Sequence, residues 1–315
     1  MQEKKPLVTI VTITFNLIKS GREKTLRQCL ESVHNQTYEN IEHLVVDGGS
    51  KDGSVDLIKE YANKGLIKYV SEPDNGIYDA LNKGIKMANG KYIAFLHSDD
   101  FYHGKDGVMK TVKALEKEGA DFSYAPAIIE KEDGTNLKGN HTYFNPKISK
   151  VFFSMPFCHQ TMFTRRDVML KEGMFDTNFK SAGDYDFLLR ICLKKYKSVL
   201  VNNKFTTFRL GGFSDTDREL SNNEVAKAYH KNFSKLINIS KEDCKKIFCR
   251  EYSGISKELA VALSNYESYF SIKEYKKSFG FRKKMKRVVK IFIDKINFII
   301  FSPRKFAVKY LAKLK

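Results

Sequence analysis

Short apolar runs alternate with helically spaced apolar positions through the first hundred residues. Residues 8–15 (VTIVTITF) are β-branched and read as a buried strand, and residues 41–46 repeat that pattern. Between them Leu26, Leu30 and Val33 recur at helical spacing within residues 22–33. A helix over 55–61 and a short strand over 66–70 follow. Ile77, Ala80, Leu81, Ile85 and Ala88 then share one helical face, and Gly90 ends that helix. Tyr92, Ile93, Ala94, Phe95 and Leu96 form a continuous apolar run, the mark of a strand covered on both faces. Strands alternating with helices in this way predict right-handed βαβ units: an α/β fold with a mainly parallel, doubly wound sheet.

The pattern changes after residue 100. Residues 104–154 predict a helix, a strand over 122–125, a polar hairpin around Asp133-Gly134 and another helix. Phe187, Leu188, Ile191 and Cys192 continue a helix opened by SAGDYDFLLR at 181–190, and residues 197–201 and 205–209 are strand-like, leading into Gly211-Gly212. From about 221 the pattern is helical with no strand signal. Residues 282–301 put Met285, Val288, Val289, Phe292, Ile296, Ile299 and Ile300 on one side, and after Pro303 a second short helix repeats the arrangement. The expected organisation is a catalytic-type α/β domain over 1–215, a helical extension over 216–280 and a basic amphipathic tail over 281–315.

Charge sharpens the reading of that tail. Of the net +18, residues 280–315 carry +11, from twelve Lys or Arg against Asp294. Basic residues beside an apolar stripe suit an anionic membrane surface, at roughly 1 kcal/mol per Lys or Arg; packing of the stripe on the protein's own core is the alternative. No apolar run approaches the roughly 18 residues of a membrane span, and residues 7–15 lack the cleavage site of a leader. The five cysteines are odd in number and lack zinc spacing, which fits a reducing cytoplasm. A pI near 9.5 would also suit nucleic acid, but no recognised DNA or RNA module is present.

Candidate chemistry gathers where strands stop. Asp99 and Asp100 follow the buried run at 92–96, and two adjacent carboxylates must be solvated, protonated or neutralised by a cation. A solvated turn is one reading; a Mg²⁺ or Mn²⁺ site with substrate phosphates is the other, favoured by the position outside strand ends. Asp47 in DGGSKDGS admits an Asx-type turn or a ligand contact. Neither a GxGxxG fingerprint nor a Walker motif occurs. His159 and Gln160 precede a strand-like segment; that His is either a buried structural residue or a substrate contact. Asp184 sits at a helix start, where a carboxylate commonly acts as a cap.

In order along the chain, the strand ending at Asn16, Asp47-Gly-Gly-Ser-Lys-Asp-Gly, Ser71-Glu-Pro-Asp-Asn-Gly-Ile-Tyr-Asp-Ala-Leu-Asn-Lys-Gly and Ser98-Asp-Asp resemble the nucleotide-sugar domain of glycosyltransferase family 2, with its GT-A fold. The resemblance is to the bacterial branch building O-antigen, capsule and colanic-acid type polysaccharides. It implies an inverting hexosyltransferase dependent on Mn²⁺ or Mg²⁺, using a UDP-linked donor in preference to GDP or dTDP. It assigns Asp100 to the metal and Asp99 to ribose and metal shell. Asp184 becomes the general base, with Asp186 and Arg190 supporting the helix start. The nucleotide-sugar set is Thr14, Asn16, Asp47, Asp74, Tyr78, Asn82, Asp99, His159, Gln160 and Gly212. His97 departs from the Asp or Asn of many relatives and is left outside the metal set. The implied acceptor is a polyprenyl-diphosphate-linked sugar, met on the inner face of the cell membrane; a homodimer is left open. A non-catalytic nucleotide-sugar-binding subunit is the competing reading, and a nucleic-acid-binding protein a more distant one.

Overall fold

The computed structural model describes residues 5–248, apart from 132, 139–141, 145, 149–150, 152–154, 213–216 and 236–238. The tail over 281–315, most of the expected helical extension and Cys249 lie outside the described residues.

The first half of the chain builds four parallel strands, β1 (Val8–Thr14), β2 (Ile41–Asp47), β3 (Lys68–Ser71) and β4 (Tyr92–Phe95). The helices α1 (Glu23–His34), α2 (Ser54–Asn63) and α3 (Ile77–Met87) connect them. Next come β5 (Phe101–Tyr102), α4 (Gly107–Glu118), β6 (Phe122–Tyr124) and β7 (Ala127–Glu130). The remaining elements of the sheet region are β8 (Phe163–Arg165), α5 (Arg166–Lys171), α6 (Gly183–Leu193), β9 (Ser198–Leu200), β10 (Thr206–Arg209) and α7 (Arg218–Phe233). A last helix, α8, spans Lys241–Phe248.

Seven strands make one sheet in the order β3-β2-β1-β4-β8-β6-β9. All pairings are parallel except those of β8, which runs antiparallel to both β4 and β6. A smaller sheet, β5-β10-β7, flanks it. The main sheet carries a core on each face, as its unbroken apolar strands require. Val8, Ile10, Tyr92 and Ala94 pack with Val108, Val112 and Leu115 of α4 on one side. Val45, on the same face by its register opposite Thr12, packs with Leu26, Leu30, Leu57 and Ile58 of α1 and α2 in a second cluster. On the opposite face Val11 lies against Gly84 of α3, and Phe95 against the rings of His159 and Phe175. Each fully buried Val, Leu or Ile among these contributes about 1.5–3 kcal/mol by leaving water.

The expected mainly parallel sheet is therefore present, and helix and strand positions through Phe95 match within a few residues. After the Asp133-Gly134 hairpin and before about residue 154 the sequence predicts a helix, whereas the described residues there include a 3-10 turn, Thr142–Phe144. Tyr143 and Phe144 of that turn pack on Ala127 and Ile129 of the small sheet, a local contact that periodicity does not encode.

The chain divides into two compact units, Met1–Asn232 and Phe233–Lys315. The first passes the expected boundary at 215 because α7 is tied to α6. Asp186, fully buried, accepts from Arg190 Nε at 2.9 Å and Asn232 Nδ2 at 2.9 Å and pairs with Lys231 Nζ at 2.9 Å. Asp186 and Arg190 thus brace the helix, as the sequence suggests. Of the second unit, α8 begins at a local cap in which Ser240 Oγ accepts from the Asp243 amide at 3.0 Å. Among the described residues no helix is long and apolar enough to cross a membrane.

Candidate active site

Parallel register places Thr14, Asp47 and Ser71 in one row across the carboxyl edge of β1, β2 and β3. Asp47 is fully buried there. Its Oδ1 accepts from Thr14 Oγ1 at 3.0 Å and Ser50 Oγ at 2.6 Å. Its Oδ2 accepts from Ser71 Oγ at 2.8 Å and from the amides of Gly49 and Ser50 at 3.1 and 2.8 Å. The Asx-turn reading describes this carboxylate: it folds the loop and does not line the cavity. Asn16, at φ +46°, does similar work, its amide donating to Ser50 Oγ and its Oδ1 accepting from the Lys51 amide.

The surfaces that face the cavity on this side are Thr14, Phe15, Gly48 and Asp74. Phe15 is 62% exposed, an unusual cost for a Phe at a strand end and one that a stacking ligand would offset. A Cβ on Gly48 would lie 2.5 Å from Asp74 Oδ2 and 3.2 Å from the Phe15 ring, so glycine keeps the two apart without filling the space between. Asp74 is anchored through Oδ1, which accepts from the Gly76 amide at 2.9 Å. Phe15 was not singled out in the sequence; an apolar residue one step beyond the last buried strand position was the available signal.

Beyond β4 the chain turns tightly, the Asp100 amide donating to the His97 carbonyl at 3.0 Å. This turn brings together what the sequence reading kept apart. His97, Asp99 and Asp100 each offer a ligand atom, all within 4.8 Å of one another. Asp99 lines the cavity, while Asp100, 1% exposed, lies behind it. Gln160 Nε2 donates to Asp100 Oδ2 at 2.7 Å and lies 3.3 Å from His97 Nδ1, bridging the two. The Arg209 amide donates to the other Asp100 oxygen at 2.8 Å. Arg22 pairs with Asp99 at 3.2 Å, and Arg209 Nη1 donates to the Asp99 carbonyl at 2.6 Å. Neither arginine is identifiable from sequence, since both reach the turn from distant segments.

Burial and the adjacent Asp99 charge push the Asp100 carboxyl well above its usual range. Burial holds His97 below the ordinary imidazole value although Asp99 pulls the other way. His97 Nε2 is buried without a hydrogen-bond partner. Crowded carboxylates and an orphaned imidazole nitrogen fit a divalent cation, and the mixed oxygen and nitrogen set suits Mn²⁺ at least as well as Mg²⁺.

His159 lies in the 3-10 turn His159–Thr161 just before β8. Its ring stacks on Phe95 at 5.2 Å and meets Phe175 edge-on at 5.6 Å, and burial followed by the His97 charge holds it neutral, down to about 3. It and Gln160 both line the cavity, as does Gly212. Asn82 does not. Its amide grips the Phe175 backbone in both directions, at 2.9 and 3.0 Å, so it joins α3 to the segment before α6.

Asp184 stands in the first turn of α6, in the wall of the same cavity of about 630 Å³ that Asp99 lines. Its Oδ1 accepts from Tyr78 Oη at 3.1 Å and from the Tyr185 amide at 2.8 Å. Both bonds fall on one oxygen, leaving Oδ2 for an incoming proton. Desolvation in the wall raises the Asp184 pKa, and burial and the Asp184 charge raise that of Tyr78. Gly183 permits this contact, because a Cβ there would lie 2.8 Å from the Tyr78 ring. Tyr78 therefore belongs to the candidate base, whatever it also touches in the cavity. The described cysteines, Cys29, Cys158, Cys192 and Cys244, are buried and free.

The fold is shared with known proteins. An uncharacterized glycosyltransferase of Mycobacterium tuberculosis is 34% identical over 190 residues, 60% of this chain and 70% of that protein. Residues 1–349 of S. aureus TarS, solved in complex with UDP-GlcNAc, superpose with a TM-score of 0.60 at 16% identity, over 84% of this chain and 80% of that one. Mannosyltransferase PcManGT from Pyrobaculum calidifontis, in complex with GDP-Man and Mn²⁺, gives 0.59 at 16% identity, over 96% and 89%. These likenesses establish a GT-A-like fold. The profile of Glycosyl transferase family 2 matches residues 9–174, more than half of the chain, and the chain belongs to that family of glycosyltransferases.

Proposed function

We propose that the protein is an inverting, divalent-metal-dependent glycosyltransferase that moves a hexose from a nucleotide sugar, preferably UDP-linked, to a lipid-linked saccharide. The observation that carries the reading is the pairing across one cavity of the acidic turn bearing His97, Asp99 and Asp100 with the half-buried carboxylate of Asp184.

In this reading the nucleoside lies over Phe15, against Gly48 and beside Asp74 and Thr14. Asp47 and Asn16 keep that loop in shape from behind. His97, Asp99 and Asp100 would hold the cation, which when bound neutralises charge developing on the leaving diphosphate. Gln160 fixes His97 and Asp100 relative to each other, and Arg22 steadies Asp99. Asp184 Oδ2 takes the proton of the acceptor hydroxyl as that oxygen bonds to the anomeric carbon and the carbon–oxygen bond to the diphosphate breaks. One displacement inverts the centre, so no enzyme nucleophile is required.

The UDP preference draws support from the TarS complex, and the metal from the PcManGT complex. The lipid-linked acceptor and a peripheral location on the inner face of the cell membrane, in surface-polysaccharide synthesis, rest on the basic amphipathic pattern of residues 281–315 together with the family resemblance.

The test is transfer across UDP, GDP and dTDP sugars with Mn²⁺ or EDTA and a polyprenyl-diphosphate sugar acceptor, with the product's anomeric configuration read by NMR. Metal-dependent transfer from one donor with inversion is expected. Donor binding without turnover under every acceptor condition would favour the non-catalytic subunit instead.

A further inference from the structure

Helix α6 has no side-chain cap hydrogen bond at its N-cap, Ala182, and the backbone amides of the segment leading into it, Lys180 to Ala182, need acceptors. The acceptor comes from α7. Glu224, 7% exposed, receives the Lys180 amide on both oxygens, at 2.8 and 2.9 Å. Its Oε2 also accepts the amides of Ser181 at 2.6 Å and Ala182 at 3.1 Å. Three consecutive backbone N–H groups thus converge on one carboxylate, the kind of concavity that elsewhere binds a free anion. Ser181 Oγ and Ser221 Oγ, 2.7 Å apart, add a second tie between the same segments.

The clamped tripeptide ends two residues before Asp184, and Lys180, Ser181 and Ala182 line the cavity with it. A charged acceptor at a helix N-terminus makes short, strong bonds that also oppose the helix dipole. We infer that Glu224 is a positioning residue for Asp184: from α7 it fixes the start of α6 and hence the height and angle at which the Asp184 carboxylate meets the acceptor hydroxyl. This rests on Asp184 being the base.

The effect belongs on turnover and not on donor affinity, because the donor-facing surfaces Phe15, Gly48 and Asp74 lie on other elements. In E224Q the side-chain oxygen can occupy only one of the two carboxylate positions and the NH₂ must take the other, facing the Lys180 amide as donor to donor. The charge is lost as well, so the clamp on the loop weakens. A displacement of about 1 Å costs on the order of 100-fold in rate.

The experiment measures transfer kcat, donor Kd and Tm for wild type, D184N, E224Q and the double variant, all in the full chain. Expected results are a kcat for E224Q lowered about 10- to 100-fold, a donor Kd within about twofold of wild type, and a double variant no slower than D184N, since residues acting as a unit are not additive. A weakened donor Kd with unchanged kcat, or full multiplication of the two rate losses in the double variant, would overturn the inference. Impaired D184N with unimpaired E224Q refutes the positioning role alone. An unimpaired D184N refutes the base reading and the positioning role together. If E224Q does not fold at the assay temperature, Glu224→Asp serves: it keeps the charge, draws it back by one methylene, and is expected to show the same split between kcat and Kd.

Discussion

Asp47 and Asp100 are both buried carboxylates at the carboxyl ends of strands in one sheet, and their surroundings are opposite in kind. Asp47 is met by three hydroxyls and two amides and has no charged neighbour in contact. Asp100 is met by one amide and one side-chain NH₂, beside a second carboxylate and an imidazole with an orphaned nitrogen. A fully bonded buried carboxylate is a structural part. A crowded and under-bonded one is left for a ligand to complete. Along one sheet edge, then, the nucleotide-side loop is finished by the chain itself and the acidic turn is not.

That contrast can be broken at several points, the most damaging being the base. Asp184→Asn should lower transfer by about 10³-fold while titration calorimetry finds donor affinity intact; equal loss of both would mean that Asp184 is part of the donor site. Asp99→Asn should cost roughly 10²- to 10³-fold in turnover and weaken Mn²⁺ binding read directly by EPR, with little change in melting temperature. Asp47→Asn should do the reverse. Turning one acceptor into a donor against converging donors costs about 2–3 kcal/mol, visible in the urea midpoint, while folded protein still binds Mn²⁺ normally.

Smaller effects follow from the raised pKa of Asp184. A carboxyl whose folded pKa exceeds its unfolded value favours folding most when protonated, so its contribution is fully present below the ordinary carboxylate range and is lost as pH rises through the raised value. Asp184→Asn should therefore melt higher than wild type at neutral pH, with the difference closing as the pH falls into the acid range. In Tyr78→Phe the phenol that holds the Asp184 pKa down is gone. The acid limb of its kcat profile should move modestly to higher pH; a shift to lower pH would show that the phenol does not stabilise the ionised base.

Much of this architecture was legible in the sequence. The alternation through Phe95 gave the parallel half of the sheet, because α1 to α3 are long enough to carry a helical period and β1, β2 and β4 stand out between them as β-branched or apolar runs. The stop of β4 at an acidic pair, and Asp184 at a helix start, were readable as positions. What local pattern could not carry was contact across long separations. Strand β8 is three residues long, too short for any period, and its antiparallel insertion was invisible. Arg22 and Arg209 reach the acidic turn from 77 and 110 residues away. His97 looked like the end of a strand, yet a single i to i+3 turn folds it back onto Asp100. The motifs named Asp47 and Asn82 as ligand residues, but only hydrogen-bond geometry shows that both spend their polar atoms on the chain.

The place of β8 between β4 and β6 also has a consequence during synthesis. On the ribosome the four parallel strands emerge first, and β6 follows, yet β4 cannot pair on its outer side until residues 163–165 arrive to fill the gap. For several seconds at ordinary elongation rates the nascent sheet presents β4 as a bare, wholly apolar edge, the kind of surface on which chains stick to one another. A chain cut short before β8 would keep that edge permanently.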